Sequence, residues 1–516
     1  MLAQLRFRVY RWVVARATKS DFDHHEKFEL ETPALEQINT RPLDKDLPLL
    51  WEATEFPSTE HAEKRIKAAR RVSRLRPLLA RVPARRTGPV PDDLDSLLEE
   101  VYPSRFHQVW PTPPALPPEL TADDVLAALA VSSPFSLYLR SAAALLVRPD
   151  EIGADDYVLD MRLFDGYPAK PGFLAPGGIG VLAVVDGELR TRGVWREGVL
   201  HEPGSPTFES ARRLLLCALN THLTTLLHNA VMHLGYVTPF SVATTNVLPP
   251  DHPLRRLLHP ALQTTLVGNY QVAHLQILGS RAFATTVFSH DHATVMAMID
   301  EVLASFRVAH FDPDHRTAAD GLVDAPVDLP LLHDRLALWA ICLDYVDAYL
   351  GRHYPDEQSA IDDETVTRWL EELDRMLPAG LYDDEGYLPE GQPVGRDALV
   401  RLCATFLHVS SVTHDIVNNA VWNYSPLNHV IPTQVPASGE PQDIRATFDL
   451  VTTLIGTWKD YNMLLDGVSR LALDADDRVL MDEYVDALRQ RQDEIDAARP
   501  RPGRVNPRDL NPSVSN

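Results

Sequence analysis

Four histidines and an asparagine in this chain stand where side chains could hold a metal ion. His222, His228 and His233 lie in one apolar stretch, FESARRLLLCALNTHLTTLLHNAVMHLGYVTPF, residues 208–240. His414 and Asn418 lie four positions apart in a second, LVRLCATFLHVSSVTHDIVNN. Four positions is one helical turn, so the last two side chains share a helix face. A buried imidazole must satisfy two ring nitrogens. Taken singly, each of these histidines is well explained as a core residue bonded to a carbonyl. Taken together, two buried helices that offer nitrogen and oxygen donors to a shared interior are how helical proteins build a metal site.

The elements that must position these residues follow from periodicity. Apolar residues recur at helical spacing from Phe208 to Phe240, with no proline before Pro239, which predicts one long buried helix. Pro239 opens a predicted prolyl connection over 239–262. Helices are predicted in LQTTLVGNYQVAHLQILG, over 331–351, over 364–377, in the His414 segment and over 446–497. YVLDMRLF, IGVLAVV and ELRTRGVW alternate as strands, the last two joined at Asp186-Gly187 as a hairpin. PGGIG (176–180) lacks the Lys-Ser/Thr and the following helix of a phosphate loop, so it is not one. Thr121, with Asp124 three positions on, is the predicted cap of the helix ADDVLAALAV. SHDHATVM precedes a helix, and its His290, Asp291 and His292 read as a cap. The whole is mainly α, a helical domain around a long central helix with a small β region about 157–200.

Composition bounds the rest. A chain of 516 residues buries a large core. Hydrophobic residues make up 45% and charged residues 23%, ordinary for a globular protein. A net charge of −23 argues against nucleic acid and against general adhesion to anionic membranes. Cys217, Cys342 and Cys403 are odd in number and widely separated, which fits a reducing cytoplasm rather than a disulfide framework. No apolar run is long enough to span a membrane. Residues 1–20 intersperse Arg6, Arg8, Arg11, Arg16 and Lys19 among apolar residues, so they are no signal peptide. They read as a basic helix packed on the domain as a lid, with weak membrane contact as the other reading. HAEKRIKAARRVSRLRPLLARV (61–82) is a solvated basic helix. The expected division is 1–46, an N-terminal basic helix and polar segment, and 47–516, the main domain. The tail, RPRPGRVNPRDLNPSVSN, has the composition of a disordered end.

These pieces, in their order, resemble the catalytic domain of a lipoxygenase from about residue 47 onward. LTADDVLAALAVSSP, IGVLAVVDGELRTRGVW, PTFESARRLLLCALNTHLTTLLHNAVMH with PFSVAT and HPLRRLLHP, LHDRLALWAICLDYVDAYLGRHYPD, THDIVNN and the terminal NPSVSN each have a counterpart there. The family's N-terminal β-sandwich has none, as in bacterial members. The resemblance implies non-haem iron held by His228, by His414 and Asn418, and by the terminal carboxylate, here of Asn516. The family spaces its first histidine pair by five. Five before His228 is Leu223, and a further bulge would bring in His222. His228 and His233 have the five spacing, but leave the run to Pro239 a turn short. His222 with His228 is the preferred pair and His233 the alternative.

The implied activity is removal of a hydrogen from the methylene between two cis double bonds of a polyunsaturated fatty acid, and addition of O2 to give a hydroperoxide. The partners are then an apolar small molecule and O2, and the oligomeric state is unspecified. Gly279 stands, by resemblance, where a small residue steers oxygen. The terminal Asn516 replaces the family's isoleucine, and NAVWNYSP lacks its Gly-Gln, so an oxygenase acting on a specialised metabolite is the runner-up. A metal-free lipid-binding relative, with Leu223 at the ligand position as its signature, is another. A hydrolase using His228 and His414-Asp415 would need a further aspartate and a basic pocket that the sequence does not offer.

Overall fold

The computed structural model describes residues 37–56, 66–67, 70, 117–382, 387–388, 391–439, 464–465, 469, 472–498 and 503–514, apart from 264, 280, 426, 429 and 512. The basic N-terminal segment, almost all of the 61–82 helix and Asn516 lie outside them. The fold is mainly α with small antiparallel sheets, as the periodicity predicts.

Two strands come first, β1 (Thr40–Asp44) and β2 (Leu47–Ala53), paired as an antiparallel hairpin. The expected boundary between 46 and 47 falls inside that hairpin, so it does not divide the chain there. Helix α1 (Val125–Ser132) is capped by Asp124, whose carboxylate accepts the Ala127 N–H at 3.2 Å. Thr121 instead bonds the Pro118 carbonyl, so the cap is three residues later than expected. Strands β3 (Leu139–Ser141), β4 (Tyr157–Asp160), β5 (Ile179–Val185), β6 (Glu188–Arg196) and β7 (Val199–His201) form one antiparallel sheet in sequence order. Asp186 and Gly187 both have positive φ, as the predicted two-residue hairpin turn requires.

The central rod is continuous from residue 208 to residue 247. It consists of α2 (Phe208–Thr221), a π-helical segment (His222–Val237) and α3 (Thr238–Val247). Pro239 does not end it. The proline falls where the π segment passes into α3, a change of ladder register. Helix α4 (Thr265–Gln271) runs into a second π segment (Val272–Ile277), and both lie against the first π segment. Then come α5 (His292–Ser305), α6 (Pro330–His353) and α7 (Glu364–Met376). Asp291 caps α5, as SHDHATVM suggested. Helix α8 (Arg396–His408), a third π segment (Val409–Thr413) and α9 (His414–Asn423) form a second rod, followed by α10 (Ala475–Ala497).

Aromatic packing locks the two rods together. Phe240 of α3 stacks on Phe406 of α8 with ring centroids 4.3 Å apart, and the Trp369 ring of α7 meets Phe240 edge-on. Tyr236 and Phe306 extend the cluster. All of these rings except Phe306 are fully buried. Truncating Phe406 to alanine is expected to destabilise the fold by about 3–5 kcal/mol. Chemical denaturation of the Phe406→Ala variant measures this, and a loss within error of zero would refute the cluster's structural role.

Candidate metal centre

The first π segment sets the site. In an α-helix, five residues advance about 140° past a full turn, so side chains five apart diverge. A ladder closed over five residues turns them toward one face. His228 and His233 therefore point together, both fully buried. His414, at the start of α9 just after the third π segment, enters from the other rod. His233 Nε2 lies 3.1 Å from His228 Nε2, which lies 3.2 Å from His414 Nε2. Two nitrogens each about 2.1 Å from one ion, at right angles to each other, would be about 3 Å apart. These three are the group of His, Cys, Asp or Glu side chains that could hold a metal among the described residues.

The outer nitrogens fix the direction of the inner ones. Asn269 on α4 donates to the His233 carbonyl at 2.8 Å and to the Thr238 hydroxyl at 2.7 Å. Its amide oxygen thus faces His233 Nδ1, at 2.8 Å, and accepts the proton there. That tautomer leaves the His233 Nε2 lone pair aimed at the cluster. His414 Nδ1 faces an Asp415 carboxyl oxygen at 3.2 Å, a similar arrangement. Neither Asn269 nor the role of Asp415 was found from sequence, because both depend on contacts between distant segments. Asn229 adds a brace by donating to Gln276 on the second π segment at 3.0 Å. Gly235 lets α5 approach, since a Cβ there would come 2.8 Å from Leu303 Cδ2.

Electrostatics keeps the imidazoles as bases. Burial, with repulsion from His233 and His414, holds His228 well below the ordinary histidine range. Burial and His414 take His233 to about 3, against the Asn269 hydrogen bond, and burial takes His414 to about 3. All three are unprotonated at neutral pH. Burial pushes the Asp415 carboxyl well above its ordinary range, opposed by hydrogen bonds from Asn511. Three neutral nitrogen bases converging in a dry interior suit a borderline metal such as iron.

The structure separates the other sequence candidates. His222 is not in the cluster. Its Nδ1 lies 3.0 Å from the Tyr138 hydroxyl and its ring packs edge-on to Tyr138 and Phe164. The structure brings together the alternative pair, His228 and His233, through a π register that an α-helical count to Pro239 does not give. Leu223 is buried outside that group. Asn418 follows His414 by a turn on the same face of α9 and is half-buried. Gly279 sits exposed in the turn after the second π segment, with φ of +93° and nothing within 4 Å of where a Cβ would lie. Its backbone explains the glycine, and it does not face the histidines.

Residues 217–444 match the model of the Lipoxygenase family. The chain is similar to linoleate 9S-lipoxygenase 1 of Oryza sativa subsp. japonica, 27% identical over 219 residues, which are 40% of this chain and 23% of that protein. It is similar to linoleate 9S-lipoxygenase 1 of Hordeum vulgare, 27% identical over 269 residues, 49% of this chain and 29% of that protein. The chain thus spans about a quarter of the length of these relatives. Its fold is that of a crystal structure of coral 8R-lipoxygenase, with a TM-score of 0.73 at 12% identity, covering 89% of this chain and 76% of that one. No helix among the described residues is long and apolar enough to cross a membrane.

The geometry makes a sharp statement about ligands. Purified His228→Ala, His233→Ala and His414→Ala variants are expected to lose nearly all bound transition metal, and His222→Ala to keep it. Elemental mass spectrometry of the four variants beside the wild type checks this. Retention in His233→Ala with loss in His222→Ala would restore the other frame.

Proposed function

We propose that this protein is a non-haem iron dioxygenase that adds O2 to a polyunsaturated fatty acid and yields a hydroperoxide. The observation that carries the proposal is the convergence of His228, His233 and His414 Nε2 within a lipoxygenase domain. In this reading those three imidazoles hold the iron, with Asn418 and the Asn516 carboxylate as oxygen donors. The relatives named above as linoleate lipoxygenases support the substrate class.

The donor set fits that metal. It contains neutral imidazoles and oxygen donors and no thiolate, which favours redox-active iron over structural zinc. Iron, when bound, supplies the one-electron chemistry by which a substrate hydrogen is removed. This chain's residues do the rest. Asn269 and Asp415 hold the His233 and His414 rings in position from behind. The low proton affinity of all three imidazoles keeps protons from competing for the site at neutral pH. Fully buried Leu226 and Ala230 flank His228 and help exclude water. A dry, apolar surround suits a hydrocarbon chain and protects a carbon radical from side reactions until it meets O2.

Iron-loaded protein given linoleate under air should develop conjugated-diene absorbance and consume O2 in equal amounts. The His414→Ala variant should do neither. Iron bound at near-stoichiometry with no diene from linoleate or arachidonate would overturn the fatty-acid assignment and favour an oxygenase acting on another apolar substrate.

A further inference from the structure

Asp415 is an unusual residue for its place. Its carboxylate is 2% exposed in the middle of the protein. A buried carboxylate normally has a cation beside it. Among the described residues, the one basic group within salt-bridge distance is His414, the side chain next to it in sequence, whose Nδ1 is 3.2 Å from Oδ1. The other oxygen, Oδ2, accepts two hydrogen bonds from Asn511, from its backbone N–H and from its side-chain Nδ2 at 3.2 Å. Asn511 belongs to the tail segment, where Leu510 and Val514 are buried.

From this geometry we infer that Asp415 is a positioning residue for metal binding, holding His414 from behind while it anchors the tail against α9. The inference rests on the metal reading of the histidine cluster and deepens it. An acceptor on Nδ1 keeps the proton on the outer nitrogen, fixes the ring plane and raises the basicity of the nitrogen that faces the metal. Asn269 does the same for His233. The same carboxylate ties the site to residues 96 positions further along the chain. A core residue with a purely structural role would be expected to be apolar at this depth, since isolated buried charge is destabilising.

The test uses the full-length protein, stripped of metal, and cobalt(II) as the probe. Affinity is measured by competition with a chromophoric chelator for wild type, Asp415→Asn, Asp415→Ala and Asn511→Ala. Asp415→Ala is expected to bind cobalt 10–100-fold more weakly, and the isosteric Asp415→Asn on the order of tenfold more weakly. The cobalt ligand-field bands should shift in both Asp415 variants and stay at the wild-type position in Asn511→Ala. Hydrogen exchange at 510–514, read in the metal-free proteins, should accelerate in all three. Should Asp415→Ala fold poorly, Asp415→Asn carries the test. Wild-type affinity and unshifted bands in the Asp415 variants would overturn the positioning role while leaving the metal site standing. Wild-type protein that binds no cobalt would overturn both.

Discussion

The histidine cluster depends on where the backbone ladder slips from four residues to five. Three separate π segments occur in the described chain, at 222–237, 272–277 and 409–413. The first carries two of the clustered histidines, the second braces it through Gln276, and the third delivers the last histidine. A regular α-helix through residues 222–237 would turn His228 and His233 away from each other, and the cluster would not exist. Such ladders are poor in isolation. Here the surrounding core overrules the local preference. The His233 carbonyl accepts the Thr238 backbone N–H five residues on, and the Asn269 side chain and Thr238 hydroxyl also donate to it, so side chains reinforce the altered register.

That constraint explains what could be read from the sequence and what could not. The hydrophobic period marks the long central rod and the second rod, and the turn residues Asp186-Gly187 mark the main hairpin. That His228 and His414 belong to one cluster follows from spacing together with family likeness. The choice between His222 and His233 does not, because a change of register by one residue leaves no composition signal. Pro239 looked like the end of a helix, yet the rod runs on to Val247, the proline lying at the change from the π segment to α3. The β1–β2 hairpin was missed because its strands are short, polar on one side and joined by Lys45-Asp46 rather than by a glycine turn. Asn269 and Asp415 are set by partners far away in sequence, and no local pattern reports such pairs.

The tail shows how misleading composition can be. Rich in proline, arginine and asparagine, it has the look of a disordered end, yet Val505, Leu510 and Val514 are buried. The buried Asp334 of α6 receives Arg491 Nη2 at 2.6 Å, Arg504 Nε at 2.7 Å and the Val505 N–H at 2.9 Å. Gly503, at φ +76°, passes so near the Ser132 backbone that a Cβ would come within 2.6 Å of its carbonyl oxygen. Two buried carboxylates, Asp334 and Asp415, therefore do for the tail what a longer apolar stretch does elsewhere.

The Asn511–Asp415 contact has a consequence for how the protein is made. Asn511 is translated 96 residues after Asp415. At 5–20 residues per second, that is a delay of roughly 5–20 s. For most of that interval the nascent chain has the residues of both rods and all three histidines but lacks Asn511, the partner of the carboxyl group behind His414. A partly made chain thus carries the three histidines without the tail contact that the finished molecule adds.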